Sequence, residues 1–325
     1  MKHLFNYCLV PGYEREILKS GKTLNQFLQN FGLDGIELMV YRYAAPNEES
    51  HAMATVGVHL NYWPMWLDLY NEDYESLSRF FTSGDSLRDY YGSTCYDGWL
   101  RAIRANIRAG LKESPQYLVW HVAECSTEEV FTFKFEHTDK EVVKAAAALF
   151  NAVADEIPDD TLVLFENLWW PGLKLTDPAV VDLFFSLLRK SNVGIILDTG
   201  HLMNTNPQLQ SEAEGIEYIC KTVRALGDNR KLIYGLHLNC SLSGEYQCSF
   251  ERRYDAEESS LNRYRHIGRI DQHRPFTVPQ VQKILELVEP DYVVHELAYK
   301  DFKELEHKLA TQLTACGKKV LQSVK

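Results

Sequence analysis

The stretch Gly194-Ile195-Ile196-Leu197-Asp198-Thr199-Gly200-His201 decides how the rest of the chain is read. A run of branched apolar residues ends in a carboxylate, a small-residue turn and an imidazole. Such a run fits a strand buried on both faces, as in a parallel sheet. Asp198 then closes the strand and His201 falls in the loop beyond it. In a barrel of alternating strands and helices this is the rim from which reactive groups project. An acid and a neutral imidazole three apart can reach one divalent metal or two adjacent ones. Alone the motif is weak, and its weight depends on how many other strands end in the same way.

Working outward, apolar runs recur. His3 to Val10, Gly35 to Val40, Thr55 to Leu60, Tyr117 to Val122, Thr161 to Asn167, Leu232 to Leu238 and Asp291 to Leu297 join the first stretch as eight expected strands. Helical spacing fills the gaps between many of them. Glu14 to Phe31 carries Ile17, Leu18, Leu24, Phe27, Leu28 and Phe31, with Gly32 as a stop. Helices are also expected over Tyr96–Lys112, Thr138–Ile157, Asp177–Lys190, Glu212–Leu226, Val278–Leu287 and Asp301–Cys316. Asp177-Pro178 opens one of them with a capping acid and a first-turn proline. Strands alternating with helices predict a single (β/α)8 TIM barrel over residues 1–325, with long loops after strands 3 and 7.

The bulk properties agree. The chain has 325 residues, 45% hydrophobic and 24% charged, ordinary for a soluble globular protein. No apolar run approaches a membrane span, and the N-terminus reads as a strand rather than a signal peptide. Seven cysteines, with no C-x-x-C pair, fit a reducing compartment, so a cytoplasmic location is expected. A net charge of −11 speaks against a general nucleic-acid surface and favours a small-molecule substrate. A homo-oligomer is left open.

The expected strand ends deliver His59, His121, Glu166, Asp198 with His201, His237 and Glu296 to one rim. Asp271-Gln272-His273, in the insertion after strand 7, adds another acid and imidazole. A lone histidine at a strand end is more often a hydrogen-bonded residue than a ligand. A carboxylate in an apolar run such as Glu166 is harder to dismiss, because its burial is costly without a cation or donors. Repetition over six strands points to metal, and mixed oxygen and nitrogen ligands suit Zn or Mn first, with Co or Fe also fitting.

These motifs, FENLWWPG, LDTGH, LHLN and VHEL in this order, resemble the xylose isomerase-like TIM barrels. That superfamily joins sugar phosphate isomerases and epimerases to AP endonuclease family 2. The resemblance runs from about strand 3 to strand 8. In the isomerases and epimerases one metal is held by residues matching Glu166, Asp198, His237 and Glu296, with His201 in the substrate-contacting place. There Glu166 and Glu296 would take and return a proton at carbon. In the endonucleases further metal ligands match His59, His121, His201, Asp271 and His273, and the spacing of His59 and Tyr62 is similar too. The resemblance thus implies from one to about three divalent ions. The long aromatic excursion after strand 3 and the long seventh insertion depart from the endonucleases, whose DNA-intercalating loops do not carry over. Peptide-modifying multinuclear iron oxidases are similar in ligand set but fit LDTGH less well.

Two enzyme functions follow, isomerisation or epimerisation of a sugar or sugar phosphate, placed first, and hydrolysis of a phosphoester at a multinuclear site. A non-enzymatic metal or sugar sensor is the third. In the excursion, Tyr62 and Trp63 are expected to wall the pocket, although packing explains many aromatics there equally well. In the seventh insertion Arg263, Arg265 and Arg269 are expected to form a lid that clamps an anionic part of the substrate. The substrate would be anionic or polyhydroxylated.

Overall fold

A computed structural model of the protein describes residues 1–8, 23–40, 53–255 and 260–320. Eight parallel strands close into a barrel in chain order: β1 (Lys2–Cys8), β2 (Gly35–Met39), β3 (Thr55–His59), β4 (Tyr117–His121), β5 (Leu162–Glu166), β6 (Val193–Asp198), β7 (Ile233–Leu238) and β8 (Tyr292–His295). The seam is sealed by β1 on β8, with Lys2 to Phe5 beside Tyr292 to His295. Every strand expected from the sequence is present, within a residue or two at its ends where described. Val10, Ile17 and Leu18 lie outside the described residues.

The strand period of two decides what faces where. In β5, Val163 and Phe165 point outward into the layer between strands and helices, while Leu164 packs inside the barrel. Glu166 continues the inward series. The same alternation sets Val119 ahead of His121, Ile196 ahead of Asp198 and Val294 ahead of Glu296. These strands therefore stack apolar residues at the barrel floor and end in a polar group at the rim. His295 has the opposite parity. It lies behind the wall, stacked on His3 with ring centroids 5.3 Å apart and hydrogen-bonded to Gln312.

The outer layer comprises helices on apolar faces. Leu24–Phe31 buries Leu24, Phe27, Leu28 and Phe31; a Thr23–Gln26 capping box starts it and Gly32, at φ 62°, ends it. Pro178–Leu187 begins on Asp177, whose carboxylate accepts from the Ala179 N–H. The helix expected over Thr138–Ile157 is shorter, Asp139–Asn151, followed by a 3₁₀ turn at Ala154–Glu156.

The structure corrects the sequence reading beyond β6. His201 lies in a helix, Thr199–Asn204, and not in a loop. The Asp198 carboxylate caps it by accepting the His201 backbone N–H at 2.6 Å. The excursion after β3 forms short helices at Leu67–Tyr70, Tyr74–Ser78 and Gly84–Tyr91 before the long helix Tyr96–Leu111. The insertion after β7 holds Gly244–Ser249 and Ser260–Ile270.

Candidate metal centre

Glu166, buried at the end of β5, is the hub of the rim. Its Oε2 lies 3.2 Å from Nε2 of both His59 and His121. Its Oε1 lies 3.2 Å from His201 Nδ1 and 3.3 Å from His237 Nδ1. Four groups of donor atoms, each within 4.8 Å, form among the described residues. They are His59–His121–Glu166, Glu166–Asp198–His237–Glu296, His201–Asp271–His273, and Glu37–His59–His237. The first three contain every metal ligand expected from the sequence. Glu166 is common to the first and second.

The imidazoles are held from behind. His59 Nδ1 faces the Leu60 carbonyl at 3.0 Å, His201 Nδ1 that of Asn167 at 2.9 Å, and His273 Nδ1 that of Glu296 at 3.2 Å. A carbonyl only accepts, so each Nδ1 carries a proton and each Nε2 faces the acids, where either a second proton or a metal ion would join nitrogen to carboxylate. For His201 and His273 that acid is Asp271, whose Oδ2 is 3.2 Å and 2.7 Å away. Carbonyl-anchored imidazoles facing carboxylates are the arrangement of metal-binding histidines.

His237 is reversed. Its Nε2 sits 3.0 Å from Glu37 Oε1, and its Nδ1 sits 3.0 Å from Glu296 Oε2. Neither His237 Nδ1 nor Glu296 Oε2 has a hydrogen-bond partner, and His121 Nδ1 is likewise unmatched. Two buried polar atoms this close without a hydrogen bond are placed to share a cation. The nitrogen and oxygen donor set fits a divalent transition metal such as Zn or Mn.

The electrostatics agree. Burial opposes ionisation of Glu166, yet the His121 and His237 imidazoles and hydrogen bonds from His121 and His201 together hold it well below the usual carboxylate range. Burial pushes Asp198 up to about 7 against the pull of His201. Burial disfavours the charged forms of His201 and His237, but surrounding carboxylates, chiefly Asp198 and Glu37 respectively, drive both well above the ordinary value. The acids gather positive charge around them, and metal ions would satisfy that demand without protons.

Several residues essential to this geometry escaped the sequence reading. Glu37, midway along β2, is buried and receives the Tyr117 hydroxyl at 2.7 Å besides facing His237. An acid inside the apolar run GIELM was the available signal, the same one that exposed Glu166. A Cβ on Gly57 would meet the Tyr117 ring, so glycine there makes room for the phenol that reaches Glu37. Asn239 donates to Asp198 Oδ2 at 2.8 Å, and Asn167 brackets the Asp198 backbone through its N–H and carbonyl. Amides beside acids carry no sequence pattern.

The expected substrate-binding residues divide. Tyr62 stacks on His121, centroids 4.4 Å apart and planes at 15°, and Trp63 lines the same cavity. Arg263, half-buried, lines that cavity and donates to Thr127 Oγ1 at 2.9 Å. Arg265 and Arg269 are exposed, one near Asn262 and the other 3.8 Å above the Tyr246 ring. The helix Ser260–Ile270 turns Arg263 to one side and Arg265 and Arg269 to another, so that of the three only Arg263 is among the cavity's lining residues.

The architecture has relatives among solved structures. Endonuclease IV from Thermus thermophilus superposes with a TM-score of 0.51 at 11% identity, over 98% of this chain and 99% of that one. D-psicose 3-epimerase, solved in the presence of D-fructose, gives 0.54 at 14% identity over 98% and 97%. The 3-keto-D-glucoside 4-epimerase from E. coli gives 0.51 at 16% identity over 97% and 100%. The chain shares the closed (β/α)8 barrel fold of these structures. At these identities the likeness concerns fold alone. No protein-family model and no curated protein matches the sequence.

Proposed function

We propose that this protein is a metal-dependent hydrolase acting on phosphoesters at a multinuclear centre. The observation that carries the proposal is the group His201–Asp271–His273, buried at His201 and half-buried at the other two, assembled next to the two groups that meet at Glu166. A reaction at one ion would leave these imidazoles and this acid without employment, although burying them is costly. The proposed ligands are His59, His121 and Glu166; Glu166, Asp198, His237 and Glu296; and His201, Asp271 and His273. When bound, the ions supply Lewis acidity, acidifying water and offsetting charge that grows on phosphoryl oxygens.

The chain's own part is to hold and orient. Glu166 faces two of the groups at once. Asn239 and the His201 N–H fix both oxygens of Asp198. Tyr62 covers His121, keeping water from that side, and Arg263 offers a guanidinium to an anionic substrate. No helix among the described residues is long and apolar enough to cross a membrane. The seven cysteines are free, in keeping with the cytoplasmic location proposed here.

A second function is isomerisation or epimerisation of a sugar. It is favoured by the placement of Glu166 and Glu296 at 3.3 Å and 3.0 Å from the same His237 nitrogen, two carboxylates suited to moving a proton beside one ion. Two assays separate the functions. Protein reconstituted with Zn or Mn should release p-nitrophenolate from bis(p-nitrophenyl) phosphate, and His273→Ala should lower kcat/KM by about a hundredfold or more. Exchange of deuterium from solvent into a ketohexose, with no phosphoester cleavage, would favour the isomerase instead.

A further inference from the structure

Beside the metal rim lies a cavity of about 600 Å³, between the excursion after β3 and the insertion after β7. Its size is that of a small-molecule site. Trp63, Phe81, Tyr90, Trp170, Tyr254 and Tyr264 line it, with Arg263 among them. Tyr62 belongs to this lining and also stacks on His121, so one ring borders both the cavity and the candidate metal site.

Some polar side chains of the lining are committed to one another or to backbone. Trp63 Nε1 donates to the Tyr90 carbonyl at 2.9 Å, the Tyr90 hydroxyl accepts from the Met65 N–H at 3.3 Å, and Ser86 Oγ donates to the Ser83 carbonyl at 2.7 Å. Eight of the lining residues are aromatic, and their number favours a planar aromatic partner. Arg263 gives one N–H to Thr127, out of the five that a guanidinium carries.

We infer that the substrate carries a planar aromatic group, seated in this cavity while its phosphoester reaches the rim past Tyr62. The phosphoester half rests on the function proposed above; the aromatic half rests on the cavity. A matched pair of probes tests it: 4-phenylbutylphosphonate and butylphosphonate, which differ only in the ring and carry a tether to span the two regions. Calorimetry is run on zinc-loaded and on chelator-treated protein. The ring should improve affinity about tenfold or more in both preparations. Tyr264→Ala, at an exposed position that the fold tolerates, and Tyr254→Leu, which keeps bulk but removes the ring, should each reduce that advantage to about threefold or less. Equal affinity for the two phosphonates in wild-type protein overturns the inference, as does a ring preference unchanged in both variants. Loss of zinc dependence for butylphosphonate, with the ring preference intact, counts against the hydrolase proposal and leaves the aromatic site standing.

Discussion

Glu37 shows how much one side chain controls at this rim. It holds His237 from the side opposite Glu166 and Glu296, so the imidazole presents Nδ1 to the acids and cannot rotate away. Replacing it by Gln keeps the volume and the Tyr117 contact but removes the charge that anchors the ring. Glu37→Gln should weaken metal binding by roughly tenfold to a hundredfold with the fold unchanged, as losses of such supporting groups do. Competition with a chromophoric chelator measures this, and wild-type affinity in the variant would refute the role. The candidate metal residues at strand ends were legible because apolar runs that close on His, Asp or Glu recur over six strands, where a single such run would not be telling. Glu37 was less legible because its strand closes on Met39 and the acid lies midway along it. The arginines show the opposite error. Their clustering along the sequence suggested a common direction, but helical rotation turns Arg263 away from Arg265 and Arg269, which are four apart and share a face.

Among the elements, regular strands and long helices were legible from period and capping residues, while short helices were not. Thr127–Thr132 rests on a Ser126–Glu129 capping box and Gly84–Tyr91 on Ser83–Ser86, each too brief to build a periodic stripe. These short pieces create an environment that the sequence hides. Glu124, just past β4, is buried where Glu129 of one short helix and Asp68 of another approach it. Burial first, then these acids, push its pKa up to about 9 from 4.5. A carboxyl raised on folding stabilises the native state fully below pH 4.5, and that contribution declines as pH rises through about 9. Glu124→Gln cannot ionise. Its melting temperature should therefore gain on that of the wild type steadily from pH 6 to pH 9, measured by thermal unfolding in matched buffers. A constant difference across that range would show that Glu124 is already charged in the native state.

At the scale of the molecule, the barrel was legible because strand and helix signals alternate along the whole chain, and parallel closure is the arrangement that buries such strands on both faces. The function was less legible, since the same rim serves either one ion or several. Assembly decides more than inventory: Asp271 and His273 come from a distant insertion, and the fold sets them against His201. Bringing so many carboxylates and imidazoles into one buried space couples metal binding to folding, because ions that bind only the native state stabilise it. The most direct test is the metal content of protein purified without chelator and dialysed against zinc, measured by inductively coupled plasma mass spectrometry beside His273→Ala and Asp198→Ala. A multinuclear centre predicts about three ions per chain in the wild type and about one fewer in each of His273→Ala and Asp198→Ala, which belong to different ligand groups, with all three proteins folded. A single ion in the wild type, retained in full by His273→Ala, would contradict it.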